Sequence, residues 1–335
     1  MINKCSLFQR LVLAWVLGAG TSLVSGKDWV EYAPEDGPGK GRHIVMISGD
    51  EEYRSEEGLP MLGKILAKKH GFKVTVLFSI NPDTGEIDPN NQTNIPGIEK
   101  LATADLMILL TRFRELPDKD MEHFTAYMKA GKPIIGIRTA THAFNYTRNK
   151  DSKYAEFDFG NGSWKGGFGQ QVLGETWINH HGHHGQESTR GLIDGMNKDQ
   201  VILKGVKDIW GDTDVYGVRN IPSTAKILVH GLSLNGMTPD SLPNYDKSLM
   251  PIIWTNTYEG KYGKIDKILC STIGAATDLQ CADLRLLFVN ACYWATGLED
   301  KITGKADVGI IGKYEPSKFG FNGFKKGVRP EDHEL

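Results

Sequence analysis

The chain has 335 residues, enough for one large domain or two small ones and for a sizeable buried core. With 40% hydrophobic and 24% charged residues, its composition is that of an ordinary globular protein. The formal net charge of -2 offers no basic face for nucleic acid, so we expect no nucleic-acid partner.

The first 26 residues have the features of a secretory signal peptide. Lys4 and Arg10 supply positive charge, and a short apolar run from Leu11 to Ala19 is followed by small residues. The run is too short to cross a hydrocarbon core of about 30 Å, although an uncleaved anchor is the alternative. We therefore expect export to the periplasm or the medium, cleavage after the signal peptide (1–26), and no membrane span in the mature protein.

Residues 43 to 140 alternate between short apolar runs and amphipathic segments. Gly71 and Gly131 are expected to end the helices, and Pro117 to open the second one. Strands that alternate with helices imply βαβ units, so we predict an α/β, flavodoxin-like parallel sheet with helices on both faces. The predicted elements are strand 43–48, helix 55–71, strand 72–78, strand 105–110, helix 117–131 and strand 133–137.

The second half of the chain is less regular. Residues 27–41 are interpreted as a polar entry strap and residues 145–170 as a long surface excursion. A single domain is predicted over 27–302, and the Gly- and Lys-containing segment 303–335 is predicted to be a tail that wraps it. The other predicted elements are strands 175–179, 214–218, 226–230, 251–254 and 267–272 and a helix over 282–294.

Nucleophilic catalysis finds little support in the sequence. There is no Gly-x-Ser-x-Gly elbow, and no phosphate-binding glycine loop follows the first strand. Beyond the signal peptide, three cysteines remain, Cys270, Cys281 and Cys292, and none directly follows a strand. The odd number leaves at least one thiol unpaired within the chain.

Polar side chains follow several predicted strands at the point where each strand ends. Ligands of open parallel sheets bind at the carboxyl ends of the strands, so these side chains are expected to form one site. Polar surface loops without a function are the alternative. We predict His180, His142 and Asp50 as acid/base groups. The predicted substrate-binding residues are Glu52, Tyr53, Arg112, Arg138, Thr139, Trp177, Asp214 and Tyr216.

The densest local feature is a histidine cluster, with four of the ten histidines between residues 180 and 184. In an extended segment alternate residues point the same way, so we expect His181 and His183 to act together as metal ligands and the other two to lie opposite. Zinc or a similar divalent metal would need a third ligand, for which Asp214 and Glu52 are candidates. No motif requires a cofactor, and a metal-free acid/base site or a surface loop stays open.

The order of elements and a set of short segments together resemble the trehalose-utilisation (ThuA-like) family. The resemblance covers most of residues 43–298 and implies a fold similar to class I glutamine amidotransferases. The segments that carry it are Gly136-Ile-Arg-Thr139, the stretch at His180, Asp214-Val-Tyr216, Pro251-Ile-Ile-Trp254 with Gly263-Lys264, and Asn290-Ala-Cys-Tyr-Trp-Ala-Thr-Gly297.

The resemblance also implies a function. Members of the family are linked to the catabolism of trehalose and other sugars, often through 3-keto-sugars, so we expect a carbohydrate-processing hydrolase, lyase or isomerase acting on a small sugar, either alone or as a homo-oligomer. A non-catalytic sugar-binding or scaffold protein and a metal-dependent hydrolase of another substrate class are the alternatives.

The sequence departs from the family pattern at three places. Arg138 and Thr139 stand where the family commonly has His-Ser and where amidotransferases carry a nucleophilic cysteine, so glutamine hydrolysis is not expected. Ala275 replaces the histidine of a Leu-Gly-His step, and Gln200-Val201 replaces a His-Pro step. The substrate is therefore expected to differ from that of typical members.

Overall fold

The computed structural model describes residues 27–335, and the predicted signal peptide lies outside the described residues. One mixed sheet of ten strands organises this part of the chain. The strands are β1 (Trp29–Tyr32), β2 (His43–Gly49), β3 (Lys73–Leu77), β4 (Leu106–Thr111), β5 (Ile134–Ile137), β6 (Ser188–Ile193), β7 (Ile209–Gly211), β8 (Lys226–Leu234), β9 (Met250–Gly260) and β10 (Gly263–Ser271).

The centre of the sheet is parallel and has flavodoxin-like topology. Its five strands lie in the order β3-β2-β4-β5-β10, which is the flavodoxin order 2-1-3-4-5 when these strands alone are numbered along the chain. Antiparallel strands extend it on both sides, with β1 beside β3 and β9-β8-β6-β7 beyond β10. The predicted parallel sheet is thus confirmed as the core of a larger mixed sheet.

Three α-helices cover the two faces of the sheet: α1 (Ser55–His70), α2 (Asp118–Lys129) and α3 (Ala282–Ala295). Because side chains alternate along a strand, Ile44 and Met46 of β2 pack in one core cluster with α1 and α3. Val45 and Ile47 pack in the other cluster with α2. The prediction of helices on both faces is confirmed.

The helix ends follow the local sequence. Gly71 adopts φ 76° after α1, and its backbone N–H donates to the carbonyl of Ala67, so the chain turns off the helix where glycine is the favoured residue. Pro117 directly precedes α2, and Gly131 (φ 69°) follows it. Because β2, β4 and β5 are parallel, their carboxyl ends lie at the same edge of the sheet.

Two predicted strands are wrong. Residues 175–179 and 214–218 are irregular and are joined by one isolated bridge between His180 and Tyr216. The buried carboxylate of Glu175 explains part of this, because it accepts backbone N–H groups of Arg219 (2.6 Å) and Asn220 (2.7 Å). A side chain, and not a strand partner, thus satisfies the backbone donors that directly follow residues 214–218.

Three strands were not predicted from the sequence. β1 lies inside the segment interpreted as an entry strap, and β6 and β7 lie at the opposite end of the sheet. Each of them is short or partly exposed, so none shows the continuous apolar run of a buried strand. The apolar pattern of the sequence therefore predicts the central strands of the sheet but not the strands at its edges.

The segment 303–335 contacts parts of the chain that are distant in sequence. Asp307 forms an ion pair with Lys69 of α1 (2.8 Å), and the carbonyl of Val328 accepts the backbone N–H of Ile87 (2.8 Å). Near the end, the carbonyl of His333 accepts the hydroxyl of Tyr32 in β1 (2.8 Å). Nowhere between residues 27 and 335 does a helix have the length and apolar character needed to cross a membrane.

Candidate functional site

A polar cluster lies where the loops after β2, β4 and β5 meet the irregular segments around His180 and Asp214. Most of the predicted site residues belong to it. The structure brings together Asp50, Glu52, Tyr53, Arg112, Arg138, Thr139, His142, Trp177, His180, Asp214 and Tyr216.

Arg138 and Asp214 form the buried centre of the cluster. The Arg138 guanidinium donates to the Asp214 carboxylate (3.0 Å) and to the main-chain carbonyls of Asp214 (2.7 Å) and Thr272 (2.6 Å). It lies between two aromatic rings, 4.4 Å from the centroid of Tyr53 and 3.8 Å from that of Tyr216. Since its side chain is completely buried, Arg138 positions Asp214 and does not offer an exposed fork to a ligand.

The backbone of Arg138 is as unusual as its side chain. It is the first residue after β5 and has φ 48°, a left-handed conformation that is uncommon for a residue other than glycine. In α/β-hydrolases a sharp strand-to-helix turn of this kind presents the nucleophilic serine. Here it points a guanidinium into the protein interior, so the turn has no nucleophilic role.

His180 joins this buried centre to the surface. Its Nδ1 lies 2.7 Å from Oδ2 of Asp214, and its side chain is 35% exposed. Burial alone would raise the pKa of Asp214, but hydrogen bonds from His180 and His184 and the charge of Arg138 hold that pKa well below its usual range. The ionised carboxylate thus accepts the Nδ1–H and leaves Nε2 as the basic nitrogen of His180.

His184 bridges two carboxylates beside His180. Its Nδ1 lies 3.1 Å from Oδ1 of Asp214 and its Nε2 lies 3.3 Å from Oε1 of Glu52. The rings of His180 and His184 are 4.8 Å apart. Burial and the neighbouring charge of Asp50 raise the pKa of Glu52, and Arg112 and His184 oppose that rise. Both imidazoles are therefore held by the same buried carboxylate, that of Asp214.

The two predicted metal ligands lie outside this cluster. His181 contacts the main-chain carbonyl of Ser248 through Nε2 (2.9 Å), and His183 is exposed. The alternation along the segment did separate His180 and His184 from the other pair, but it could not tell which pair faces the carboxylates. Among residues 27–335, the side chains whose ligand atoms all lie within 4.8 Å of one another are His180, His184 and Asp214.

Asp50 organises the loop that follows β2. It is fully buried, and its Oδ1 accepts the backbone N–H groups of Glu52 (2.7 Å) and Tyr53 (2.5 Å). Its Oδ2 accepts the hydroxyl of Thr139. With both oxygens engaged and no exposed surface, the predicted acid/base group Asp50 and the predicted binding residue Thr139 act as supports of the site.

His142 lies beneath the cluster among aromatic rings. The ring is 3% exposed, contacts the hydroxyl of Thr141 (3.1 Å) and lies 5.6 Å from the ring of Trp177. Burial, reinforced by the charges of Arg112 and Arg138, lowers its pKa well below the usual value. His142 is therefore neutral near pH 7 and is less accessible to a ligand than His180.

The tail supplies part of the rim, which sequence reasoning did not foresee. The ring of Phe319 stacks at 5.8 Å on Tyr53 and lies 5.3 Å from His184. The ring of Phe321 lies 5.0 Å from the guanidinium of Arg112. No local pattern marks these residues, because the contacts join segments far apart in the chain.

Comparison with known proteins identifies the fold. No protein-family model and no curated protein matches this chain. A solved structure of a ThuA-like protein from Parabacteroides merdae matches with a TM-score of 0.52 and 15% identity, over 79% of this chain and 92% of that one. A second ThuA-like protein, from Bacteroides uniformis, has a TM-score of 0.48 and 14% identity over 79% and 95%. A GMP synthase component from Thermoplasma acidophilum has a TM-score of 0.35 and 11% identity over 77% and 98%.

The likeness to the Parabacteroides merdae protein, with its TM-score of 0.52, concerns the fold alone and does not extend to activity. The chain is an α/β protein with flavodoxin-like topology in the centre of its sheet. More narrowly, it has the fold of the ThuA-like proteins, as its sequence resemblance implied.

Proposed function

We propose that this protein is an exported enzyme that processes a carbohydrate, with a keto-sugar as its substrate, by acid/base catalysis at His180. One observation carries the proposal: the partly exposed imidazole of His180 is hydrogen-bonded at 2.7 Å to a completely buried carboxylate, that of Asp214. An ionised carboxylate that fixes the orientation and tautomer of a histidine is a recurrent way to prepare a general base.

The proposed chemistry follows from this pair. His180 Nε2 would take a proton from a sugar hydroxyl or from a C–H next to a carbonyl, and Asp214 would stabilise the imidazolium that forms. The developing oxyanion needs a nearby donor. Both ring nitrogens of His184 already contact carboxylates, so the partly exposed guanidinium of Arg112, which lies beside Glu52, is the donor in place for that role.

The surroundings suit a hydroxyl-rich substrate. Trp177 and Phe321 offer partly exposed aromatic surface beside the cluster, and Glu52 and Arg112 offer polar groups for hydroxyls. A site with apolar surface and a few convergent polar groups is typical of small-molecule recognition. The choice of a sugar among such molecules rests on the resemblance to the ThuA-like family.

A matched pair of variants tests the proposal. We expect His180→Ala to lower kcat/KM on a panel of 3-keto-glycosides by about 10²- to 10⁴-fold, the usual contribution of a general base. His181→Ala, which changes the neighbouring ring outside the cluster, should keep full activity. Full activity in folded His180→Ala contradicts the assignment. Binding of sugars without turnover by the unaltered protein would favour a sugar-binding or scaffold protein.

The second candidate is a metal-dependent hydrolase, and a specific observation favours it. His180, His184 and Asp214 bring three ligand atoms within 4.8 Å of one another. Three protein ligands plus a water is the arrangement of catalytic zinc sites, where the metal activates the water. In this candidate His180 is a ligand and cannot be the base, while the charge of Arg138 beside Asp214 works against a second cation.

Elemental analysis separates the two candidates. A metal site predicts about one zinc or similar ion per chain. It would be lost in His184→Ala and retained in the His181→Ala/His183→Ala control, and chelation would abolish activity. If metal-free protein stays active after chelation, the metal-dependent candidate is excluded and the acid/base mechanism is supported.

Export is a separate part of the proposal and rests on the features of residues 1–26. Mass spectrometry of the protein recovered from its native cells tests it. A mature chain that begins near Lys27 supports cleavage, whereas an intact Met1 contradicts it.

A further inference from the structure

Three partly exposed aromatic rings, those of Phe113, Phe159 and Trp177, lie together beside His180 and are called the aromatic wall below. The rings of Phe113 and Phe159 are 5.1 Å apart. All three rings surround His142, with centroids 5.3 Å, 6.2 Å and 5.6 Å from its ring, in that order. Because His142 is 3% exposed, the wall covers it and forms one continuous patch of apolar surface.

The wall extends between the two groups to which the proposed chemistry assigns a role. The ring of Trp177 lies 5.9 Å from that of His180, the proposed base. At the other end, the guanidinium of Arg112, the proposed oxyanion donor, lies 4.2 Å from the ring centroid of Phe113. A substrate held between His180 and Arg112 therefore has this apolar surface next to it.

Phe113 has a strained backbone. Its φ of 55° lies in the left-handed region, where a bulky residue is an outlier and glycine is not. Its backbone N–H donates to the carbonyl of His142 (3.0 Å), and that of Arg114 donates to the carbonyl of Ala143 (2.7 Å). Glycine would make the same hydrogen bonds without strain, so what phenylalanine adds at this position is its ring. Strained residues of this kind cluster at ligand sites.

The wall offers few hydrogen-bonding groups. The two phenylalanine rings have none, and Trp177 has a single indole N–H. Next to Phe159, the carboxylate of Asp158 already accepts two backbone N–H groups, each at 2.7 Å. Next to Trp177, the hydroxyl of Thr176 donates to the carbonyl of Phe159 (3.2 Å). A second sugar ring placed here would exchange water for few protein partners, which is unfavourable.

The charges at the end of the wall are balanced. The Arg112 guanidinium, which lies over Phe113, pairs with Glu51 (2.7 Å) and lies 3.8 Å from Glu52. A bound anion would meet the two carboxylates, and a bound cation would meet the guanidinium. An uncharged ring is therefore the group that suits the wall.

We propose that the aromatic wall binds the aglycone of the substrate and that this aglycone is an uncharged aromatic ring, so that the substrate is an aryl glycoside. The inference rests on the proposed function, because it takes the sugar to lie at His180. Aromatic rings pack edge to face or offset, with centroids about 4.5–7 Å apart. Phe113, Phe159 and Trp177 are thus residues that determine specificity for the aglycone.

Binding of phenyl glucoside and of methyl glucoside to the whole mature chain tests the proposal, in titrations followed by saturation-transfer NMR. Both probes lack a keto group, so the measurement does not depend on turnover. We expect phenyl glucoside to bind at least about tenfold more tightly, because its ring packs on the wall.

Two variants and a control assign this preference to the wall. Phe113→Gly keeps the left-handed turn and removes the ring, and Phe159→Ala removes the neighbouring ring. Each should lower the ratio of the two affinities at least about threefold and leave the Kd of methyl glucoside almost unchanged. Tyr245→Ala is the matched control, since that ring is 86% exposed and lies outside the wall, and it should keep the ratio.

Three outcomes would overturn the proposal. The first is that phenyl glucoside binds no more tightly than methyl glucoside, which includes the absence of a saturable signal from either. The second is an unchanged ratio in folded Phe113→Gly and Phe159→Ala. The third is that cellobiose binds more tightly than phenyl glucoside, which would make the occupant a second sugar ring.

Failure of the proposed function would look different. In that case no keto-glycoside would be turned over, or folded His180→Ala would keep full activity, while the preference for phenyl glucoside and its loss in Phe113→Gly would persist. The binding ratio therefore reports on the wall, and turnover reports on His180.

Discussion

Nη2 of Arg138 lies 3.0 Å from Oδ1 of Asp214, and both side chains are completely buried. On its exposed side the same carboxylate contacts Nδ1 of His180 through Oδ2 and Nδ1 of His184 through Oδ1. One buried ion pair thus fixes the position of both partly exposed imidazoles. The stability of the interior and the geometry of the site therefore depend on the same group.

The buried pair predicts non-additive losses of stability. Arg138→Met and Asp214→Asn should each lower the free energy of unfolding by about 3–5 kcal/mol, because each leaves a buried charge without its partner. The double variant should lose clearly less than the sum. Denaturant unfolding monitored by tryptophan fluorescence measures all three, and purely additive losses would show that the two groups do not depend on each other.

Glu56 predicts a specific dependence of stability on pH. Burial raises its pKa in the folded protein from 4.5 to about 8, so the folded state holds a proton that the unfolded state releases. This group therefore costs nothing below pH 4.5, and stability falls as the pH rises from there to about 8 and then levels off. At about 1.4 kcal/mol per pKa unit the full loss is up to about 5 kcal/mol.

Glu56→Gln should remove that component. The difference in unfolding free energy between Glu56→Gln and the unaltered protein should grow in favour of the variant between pH 5 and 8, roughly the window set by the two pKa values. Glu315→Gln, which changes an exposed paired carboxylate, should show no such trend. A constant difference across this range would mean that Glu56 titrates normally.

Phe319 predicts a link between the tail and the site. Its ring is buried against Tyr53 and His184, so Phe319→Ala should loosen the segment around it and uncover His184. Hydrogen exchange of residues 317–323 should speed up, and in the proposed sugar reaction KM should rise more than kcat falls. Phe321→Ala is the control, because that ring is 56% exposed and its loss should leave the exchange rates almost unchanged.

The cysteines predict selective thiol reactivity. Cys270 and Cys292 are fully buried, and burial raises the pKa of both thiols, which disfavours the reactive thiolate. Cys281 is partly exposed. In a chain that begins at Lys27, a disulfide reagent should therefore modify Cys281 first, and Cys281→Ser should abolish the fast phase of colour development. A fast phase that survives in Cys281→Ser would contradict the burial of Cys270 and Cys292.

The sequence was most informative where structure is local. The apolar run of β2 and the glycine at position 71 identified a buried strand and a helix end, since both depend on neighbouring residues alone. The edge strands β1, β6 and β7 were missed because a half-exposed strand carries little apolar signal. Residues 175–179 have the sequence pattern of a strand but no regular structure. Their conformation depends on contacts with residues distant in sequence, such as those of Glu175 with Arg219 and Asn220, which the local pattern cannot predict.

The site was predicted in outline from one rule, that polar groups gather at the carboxyl ends of parallel strands. That rule found His180, Asp214 and Arg138. It could not tell that Arg138 points inwards, because the contact with Asp214 joins two separate segments. Nor could it choose His184 over His181, since that choice depends on how an irregular segment is seated against the sheet.

The packing of Phe319 on His184 also has a consequence for the order in which the protein matures. A ribosome completes the histidine segment and then β10, the parallel strand that lies between β5 and β9, before it reaches the tail. Because synthesis proceeds from the N-terminus, all ten strands of the sheet are made before Phe319. The sheet can therefore close while His184 is still uncovered, and the aromatic wall is added last. A nascent chain that is halted before Phe319 would display the imidazole cluster without that wall.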